Sequence, residues 1–148
     1  MILKVNPPAY FFLLLLTAGG LHLLLPVKTV VPLVWRWLGL GFLAAGAAVM
    51  VWAERLFVKA QTTVKPLKKP SKLIAHGPFL FSRHPMYLGM VGMLLGVAVL
   101  LGSTTPFLAP VILMFIFERC FIPHEEKTMV KIFGKKYQDY QQKVRRWI

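Results

Sequence analysis

The sequence predicts an all-α protein, an integral membrane bundle of about four transmembrane helices followed by an amphipathic helix at the cytoplasmic surface. Hydrophobic residues make up 57% of the 148 positions, more than a soluble domain of this size normally contains. The charged residues are concentrated in residues 54–83 and 118–146, and apolar blocks separate them. A bilayer imposes this segregation. We therefore expect residues 1–148 to form a single membrane domain.

Four apolar segments are the candidate transmembrane helices. They cover about residues 8–26, 33–53, 86–102 and 106–121. A helix needs about 20 apolar residues to cross the hydrocarbon core, so the last two segments are short. Short spans indicate tilted helices, local thinning of the bilayer or a site at shallow depth.

Small residues in these segments indicate close helix packing. Gly89, Gly92 and Gly96 are spaced three and four residues apart and form one smooth stripe on the third helix. Helix packing is the favoured explanation for this stripe, and close approach of a ligand is the alternative. Gly19 and Gly20 in the first segment, and GLGFLAAGAA in the second, suit the same kind of packing.

Lysine and arginine residues indicate the orientation of the bundle. Most of them lie in two regions: Arg55, Lys59, Lys65, Lys68, Lys69, Lys72 and Arg83 after the second span, and Arg119, Lys127, Lys131, Lys135, Lys136, Lys143, Arg145 and Arg146 near the C-terminus. The connections on the other side contain only Lys28 and Arg36. Because basic loops stay on the cytoplasmic side, we expect both termini and the central loop in the cytoplasm, at the cell inner membrane.

The segment after the fourth span predicts an amphipathic helix on the membrane surface. Its apolar residues recur at intervals of three, four or their sums: Met129, Ile132, Phe133, Tyr137, Tyr140, Val144 and Trp147. The lysines of this segment fall on other faces. The pattern is typical of a helix that lies in the membrane interface, and Gly134 is a candidate bend.

The net charge of +13 favours a partner with negative charge. Long apolar runs separate the basic clusters, so we expect anionic membrane lipids as partners and no nucleic acid. The one cysteine, Cys120, cannot form a disulfide within the chain. His76, His84 and His124 are expected near one surface, but their spacing matches no standard site, and we predict no bound metal.

The third and fourth spans form a hairpin around the turn GSTTP, and this hairpin predicts a site. The chain leaves the cytoplasmic face after Arg83 and His84 and returns to it before Glu125 and Glu126. Pro85 suits the first turn of the third helix, whose positive end would favour a carboxylate. The two glutamates opposite would accept hydrogen bonds from hydroxyls or an amine, with a small zwitterionic ligand between the clusters. The alternatives are a basic membrane anchor and ordinary helix-dipole complementation.

Two motifs resemble those of a known family. The first lies in residues 77–89, where GPFLFSRHPMYLG resembles the signature G-P-[FY]-x-[FY]-[ST]-R-[HN]-P-x-Y-x-G. The second lies in residues 124–148, where HEEKTMVKIFGKKYQDYQQKVRRWI is similar to E-E-x-x-[LM]-x-x-x-F-G-x-x-Y-x-x-Y-x-x-x-V-x-R-[WF]. These motifs mark the membrane methyltransferases that include isoprenylcysteine carboxyl methyltransferases and phospholipid N-methyltransferases. The resemblance covers about residues 60–148 in the family's order and spacing.

The resemblance implies S-adenosyl-L-methionine as the cofactor, in a cytoplasm-facing pocket made by the last two spans and the C-terminal helix. Carried over to this sequence, the expected cofactor-binding residues are His76, His84, Pro85, Tyr87, Leu88, Gly89, Glu125, Glu126 and Tyr137. The candidate catalytic residues are Arg83 and Glu126. Arg83 would orient a carboxylate or phosphate of the acceptor, and Glu126 or His84 would take a proton from an amine.

The resemblance also implies the reaction, which is methyl transfer to a lipophilic small molecule that enters from the bilayer. The acceptor would be a prenylcysteine-like carboxylate or a phospholipid amine. Two other functions stay open at this point. One is a non-catalytic membrane protein that binds anionic lipids, and the other is a nicotinamide-dependent reductase of similar architecture.

Overall fold

The computed structural model describes residues 6–25, 27–62 and 70–148. Seven α-helices follow one another along this part of the chain: α1 (Pro7–Leu24), α2 (Leu33–Arg36), α3 (Leu38–Lys59), α4 (Pro85–Leu101), α5 (Leu108–Ile116), α6 (Ile122–Phe133) and α7 (Lys135–Lys143). Short 3₁₀ turns lie at Gly77–Leu80 and Thr105–Phe107, and a π-helical turn at Phe117–Phe121 joins α5 to α6. The described residues contain no strand beyond one isolated bridge, so the all-α prediction is confirmed.

Among the described residues, three helical stretches are long and apolar enough to cross a membrane: Pro7–Leu24, Leu33–Lys59 and Thr105–Phe133. Helix α4 is also apolar but has 17 residues. Together these stretches correspond to the four predicted spans, and the prediction of a helical membrane bundle is confirmed. The fourth span was expected to end near residue 121, whereas its helical stretch continues to Phe133.

The π-helical turn explains why the last stretch continues. Pro123 lacks an N–H and its ring excludes the carbonyl of the residue four positions earlier, so it would break a regular α-helix. The wider turn at Phe117–Phe121 comes just before it, and Ile122 keeps helical angles of φ −56 and ψ −47. Helix α6 therefore leaves the apolar bundle without a break and carries Glu125 and Glu126 back to the start of α4.

The predicted bend at Gly134 is confirmed as the break between α6 and α7. Gly134 has φ +53 and ψ −127, a backbone conformation that favours glycine. Helix α7 buries Tyr137 and Tyr140, as the apolar pattern predicts. Ile132 was expected on the same apolar face but is 37% exposed. Ile132 lies next to Phe133 in α6, about 100° away around the helix, and Phe133 is the one that packs against the buried residues of α7.

Helices α3 and α4 pack antiparallel, and their backbones approach closely at two glycine pairs. A Cβ atom placed on Gly39 would lie 2.4 Å from the carbonyl oxygen of Gly96. A Cβ atom placed on Gly46 would lie 2.6 Å from the carbonyl oxygen of Gly89. Only glycine permits this approach, which confirms the packing explanation for Gly89 and Gly96.

The packing expected of four other glycines is wrong. Gly19, Gly20, Gly41 and Gly92 have no atom within 4 Å of an added Cβ. Gly89 and Gly96 are seven residues apart, about two helical turns, so they share one face of α4. Gly92 is three residues from Gly89 and points about 60° away from that face.

Two apolar clusters hold the helices together. The first lies among α1, α4, α5 and the π-helical turn, with Leu94, Leu113 and Phe117 at most 1% exposed. The second joins α3 and the segment before α4 to α7 through buried residues that include Ile74 and Phe79. The second cluster packs the C-terminal region against the end of the bundle at which α4 begins.

The two predicted sets of connections lie at opposite ends of the bundle. At one end, Thr29 forms an isolated bridge with Ser103, and the N–H of Val30 donates to the carbonyl of Gly102 at 2.8 Å. The residues at the other end line one cavity that is shared by the start of α1, residues 70–87 and α6. Lys65, Lys68 and Lys69, which contributed to the predicted orientation, lie outside the described residues. The orientation in a membrane stays a prediction.

Candidate active site

A cluster of charged side chains lies where α4 begins. His84 immediately precedes α4, and its N–H donates to the hydroxyl of Ser82 at 3.1 Å. Pro85 occupies the first helical position, where its missing N–H costs no hydrogen bond. Helix α6 returns to the same end and places Glu125 and Glu126 beside His84. The predicted convergence of the two motifs is therefore confirmed.

The basic and acidic residues of this cluster contact one another directly. Arg83 Nη2 lies 3.2 Å from Glu126 Oε1, and His84 Nδ1 lies 3.5 Å from Glu125 Oε2. The side chains of Arg83, His84 and Glu126 are at most 11% exposed. The basic and acidic side chains thus compensate each other's charge, because charges buried this deeply need partners. That a ligand is held between the two pairs stays a prediction.

Tyr87 braces the cluster from α4. Its hydroxyl donates a hydrogen bond to Glu125 Oε1. Its ring stacks on Phe117 of the π-helical turn, with centroids 4.3 Å apart, and lies nearly parallel to the His84 imidazole at 5.7 Å. The orientation of the imidazole is therefore fixed by a ring on one side and by carboxylates at both nitrogens.

The carboxylates change the acid–base character of His84. Burial disfavours the charged imidazole, but the ionic contacts with the negative charges of Glu125 and Glu126 outweigh burial and raise the pKa of His84 above its ordinary value. The imidazolium form therefore persists to a higher pH than in an ordinary histidine. Burial also raises the pKa of Tyr137, and raises the pKa of Tyr140 to about 12, so both phenols stay protonated.

The backbone that follows α7 closes over the cluster. The hydroxyl of Ser82 donates to the carbonyl of Arg146 at 2.9 Å. The N–H of Arg83 donates to the carbonyl of Arg145 at 3.0 Å. Residues just before α4 are thus bound to the C-terminal segment, sixty residues and more away along the chain.

The side chain of Arg146 is a part of this cluster that the sequence analysis counted only as a basic charge. Its Nη2 lies 2.8 Å from Glu126 Oε2, and its Nη1 lies 2.5 Å from Glu118 Oε1. Trp147 Nε1 donates to Glu118 Oε2 at 2.9 Å. The arginine and the aromatic residue at the end of the second motif could have indicated that Arg146 belongs to the site. Nothing comparable indicated Glu118, which belongs to neither motif.

A cavity of about 520 Å³ lies beside the cluster, a size typical of small-molecule sites. One part of its lining is polar and includes Arg83, His84 and Glu125. Much of the remaining lining is apolar and includes Met50 and Met90. The start of α1, helix α3, the segment before α4 and helices α4, α6 and α7 all contribute to it.

The predicted site residues divide into two groups around this cavity. Those that line it are Arg83, His84, Pro85, Tyr87, Glu125 and Tyr137. Those that are not among its lining residues are His76, Leu88, Gly89 and Glu126. His76 is exposed, Leu88 is half-buried and Gly89 packs against Gly46. Glu126 contacts the cavity-lining Arg83 and His84 instead.

Two buried nitrogen atoms in the cluster have no hydrogen-bond partner among the described residues. They are Arg83 Nε and His84 Nε2. His84 Nε2 is 3.6 Å from Glu126 Oε1, which is an ionic contact too long for a hydrogen bond. A buried donor without an acceptor is costly. Both atoms are buried within the cluster, beside the cavity that Arg83 and His84 line.

Comparison with known proteins finds a family match over most of these elements. A profile of the phospholipid methyltransferase family matches residues 34–136. That range contains α3, α4, α5 and α6 and therefore Arg83, His84 and both glutamates.

Individual relatives are similar over shorter stretches. A probable protein-S-isoprenylcysteine O-methyltransferase of Oryza sativa subsp. indica is 36% identical over 73 residues, 49% of this chain and 38% of that protein. The protein-S-isoprenylcysteine O-methyltransferase of Schizosaccharomyces pombe is 30% identical over 115 residues, 75% of this chain and 48% of that protein. An uncharacterized protein of Haemophilus influenzae is 35% identical over 63 residues, 43% of this chain and 100% of that protein. The chain thus spans less than half the length of the two methyltransferases.

Proposed function

Because the chain belongs to the phospholipid methyltransferase family, we propose that it is a membrane methyltransferase that uses S-adenosyl-L-methionine to modify a lipophilic acceptor. The observation that carries this proposal is the cavity with both polar and apolar lining at the start of α4. Its polar part contains three of the residues singled out from the motifs, Arg83, His84 and Glu125. The names of the rice and fission yeast relatives favour a carboxylate as the acceptor, and the family's name favours a phospholipid.

The polar part of the cavity fits the groups of S-adenosyl-L-methionine. The cofactor carries a carboxylate, an ammonium group and ribose hydroxyls. The unpartnered Arg83 Nε and His84 Nε2 are donors that suit the carboxylate, and Glu125 is an acceptor that suits the ammonium group or a hydroxyl. When bound, the cofactor supplies a methyl group on a positively charged sulfur atom, which the acceptor attacks.

The apolar part of the cavity suits the hydrocarbon portion of the acceptor. Met50, Met86, Met90 and Met129 line it, and methionine side chains adapt to irregular apolar ligands. We propose that the protein contributes chiefly by holding the two substrates in line and by excluding water between them.

The need for a proton acceptor depends on the acceptor of the methyl group. A carboxylate is ionised near neutral pH and needs none, whereas an amine must first lose a proton. Glu54 and Glu125 are the carboxylates that line the cavity. Glu125 is the one that contacts His84, so we propose it as the proton acceptor for an amine. For Glu126 we propose an indirect contribution, through its contacts with Arg83 and His84.

We further propose that the cavity faces the cytoplasm, at the cell inner membrane. The end of the bundle that holds it also carries the basic residues near the C-terminus, and the opposite end carries Lys28 and Arg36. This distribution supports the orientation because positive charge stays on the cytoplasmic side. Anionic lipids of that membrane surface are then the partners of the basic residues.

Calorimetric titration with S-adenosylhomocysteine tests the proposed function. We expect the detergent-purified protein to bind it and a variant carrying His84→Ala and Glu126→Ala to lose binding. His124→Ala is the matched control, because His124 is exposed and does not line the cavity. A folded native protein that does not bind would contradict the proposal.

Titration with a reduced nicotinamide nucleotide and with anionic vesicles would then distinguish the two alternative functions. Binding of the nucleotide would favour the nicotinamide-dependent reductase, and binding of the vesicles would favour the non-catalytic lipid-binding protein.

A further inference from the structure

A continuous set of contacts leads from the π-helical turn to the cavity. Glu118, in that turn, holds Arg146 through Oε1 and Trp147 through Oε2. Arg146 holds Glu126, and Glu126 contacts Arg83 and His84. Glu118, Arg146 and Glu126 do not line the cavity, whereas Arg83 and His84 do.

The guanidinium of Arg146 fixes which way the Glu126 carboxylate points. Arg146 Nη2 binds Glu126 Oε2 at 2.8 Å, and its Nε lies 3.2 Å and 3.3 Å from the two oxygens. Glu126 Oε1 is then the oxygen that lies 3.2 Å from Arg83 Nη2 and 3.6 Å from His84 Nε2. A planar guanidinium imposes this geometry on a carboxylate, which the point charge of a lysine does not.

The arrangement points to a role for the Arg146 side chain other than holding the tail in place. The backbone of the tail has its own hydrogen bonds, from Ser82 to the carbonyl of Arg146 and from Arg83 to the carbonyl of Arg145. Val144 is 8% exposed and packs in the apolar cluster with α7. Removal of the Arg146 side chain therefore leaves these attachments in place.

We propose that Arg146 is a positioning residue, which holds the Glu126 carboxylate against Arg83 and His84, and that Glu118 anchors Arg146 for this purpose. The ligand-binding part of this inference rests on the proposed function, since His84 and Arg83 are the residues expected to meet the cofactor. The positioning of Glu126 stands on the contacts alone.

The first test measures the pKa of His84 directly, by NMR titration of protein with isotope-labelled histidine. The charged and titratable groups that face His84 are Arg83, Tyr87, Glu125 and Glu126. We expect Arg146→Gln to lower the pKa of His84, because Glu126 loses its position. The matched control is Arg145→Gln, which removes the same charge from an exposed neighbour and should leave the pKa unchanged.

The sign of that change separates positioning from simple charge effects. Loss of a nearby positive charge, with Glu126 still in place, would favour the imidazolium and raise the pKa of His84. A raised or unchanged pKa in folded Arg146→Gln would therefore overturn the proposal. If Arg146→Gln does not fold, Arg146→Lys provides the test, since it keeps the positive charge and removes the planar guanidinium that holds Glu126. A lowered pKa of His84 in that variant then reports displacement of Glu126, and an unchanged pKa would overturn the proposal.

The second test measures S-adenosylhomocysteine affinity in the same variants. We expect Arg146→Gln to weaken binding about tenfold, the order expected for one hydrogen bond to a charged group, and Glu118→Gln to weaken it less. Arg146→Lys should restore part of the loss, and Arg145→Gln should bind as the native protein does. Unchanged affinity in Arg146→Gln would contradict the link to the ligand. If the native protein does not bind while the pKa of His84 still falls, the proposed function fails and the positioning of Glu126 stands.

Discussion

Tyr87 connects three parts of the site through one side chain, and its hydroxyl can be removed without disturbing the stacking of its ring. The hydroxyl donates to Glu125, while the ring stacks on Phe117 and faces His84. We predict that Tyr87→Phe weakens S-adenosylhomocysteine binding roughly three- to tenfold, the loss expected for one hydrogen bond to a carboxylate. Calorimetry gives the affinity, and thermal unfolding in detergent should show little change. An unchanged affinity would mean that Glu125 keeps its position without this donor.

The raised pKa of His84 predicts how stability changes with pH. The imidazolium binds the two glutamates in the folded state, so its folded pKa lies above the unfolded value of about 6.5. The resulting stabilisation is fully present below the unfolded pKa and is lost as the pH rises through the folded pKa. We predict that native protein loses more thermal stability than His84→Gln between pH 6 and the alkaline side of the His84 transition. Parallel loss in both proteins would contradict the ion pairs at His84.

Individual site residues differ in how far the sequence could identify them. The two motifs contain His84, Tyr87 and Glu125, and the spacing within each motif can be recognised in a single sequence. The predicted hairpin of the third and fourth spans is enough to bring these residues together. Arg146 and Glu118 are 28 residues apart, and each could have been an ordinary surface charge. Their pairing depends on the direction in which α6 leaves the bundle and on how the segment after α7 packs against it. The periodicity of apolar residues in the sequence indicates neither.

At the level of helices, the crossing of α3 and α4 depends on four glycines. A Cβ on Gly39 would lie 2.4 Å from a backbone carbonyl, which cannot move aside as a flexible side chain could. We predict that Gly39→Ala destabilises the protein by about 1–3 kcal/mol, as overpacking generally does. Gly41→Ala on the same helix is the control, because nothing lies within 4 Å of its added Cβ. Equal stability of the two variants in detergent unfolding would refute the close crossing.

The hydropathy of the sequence predicts the helices, but it does not predict which helix faces pack against each other. All four predicted spans occur as helices because long apolar blocks permit no other backbone in a membrane. The prediction that Gly92 belongs to the packing stripe was wrong. The face of α4 that contacts α3 depends on how both helices are rotated about their axes, which the sequence of one helix does not show. The fourth span was expected to end near residue 121, and the helical stretch continues beyond it. The π-helical turn before Pro123 allows the helix to continue.

For the whole molecule, the testable consequence is its orientation. We predict that, in a Cys120→Ser background, Thr104→Cys reacts with a membrane-impermeant maleimide on intact spheroplasts. Gln142→Cys should react only after permeabilisation. Both positions are exposed, and they lie at opposite ends of the bundle. The reverse pattern would place the cavity on the outer face and contradict the orientation drawn from the basic residues.

The pairing of Arg83 and His84 with residues far along the chain also sets an order for biosynthesis. A ribosome that has just added His84 must add about forty more residues before Glu126 exists, which takes roughly 2 to 8 seconds. Helix α4 is completed within that interval, and it can then dock on α3 through the glycines before Glu126 is added. Until then Arg83 and His84 have no glutamate partners, and lipid phosphates of the headgroup region can neutralise their charge. The charged cluster at the start of α4 is thus completed only at the last stage of the protein's synthesis, once α6 and the C-terminal segment have been added.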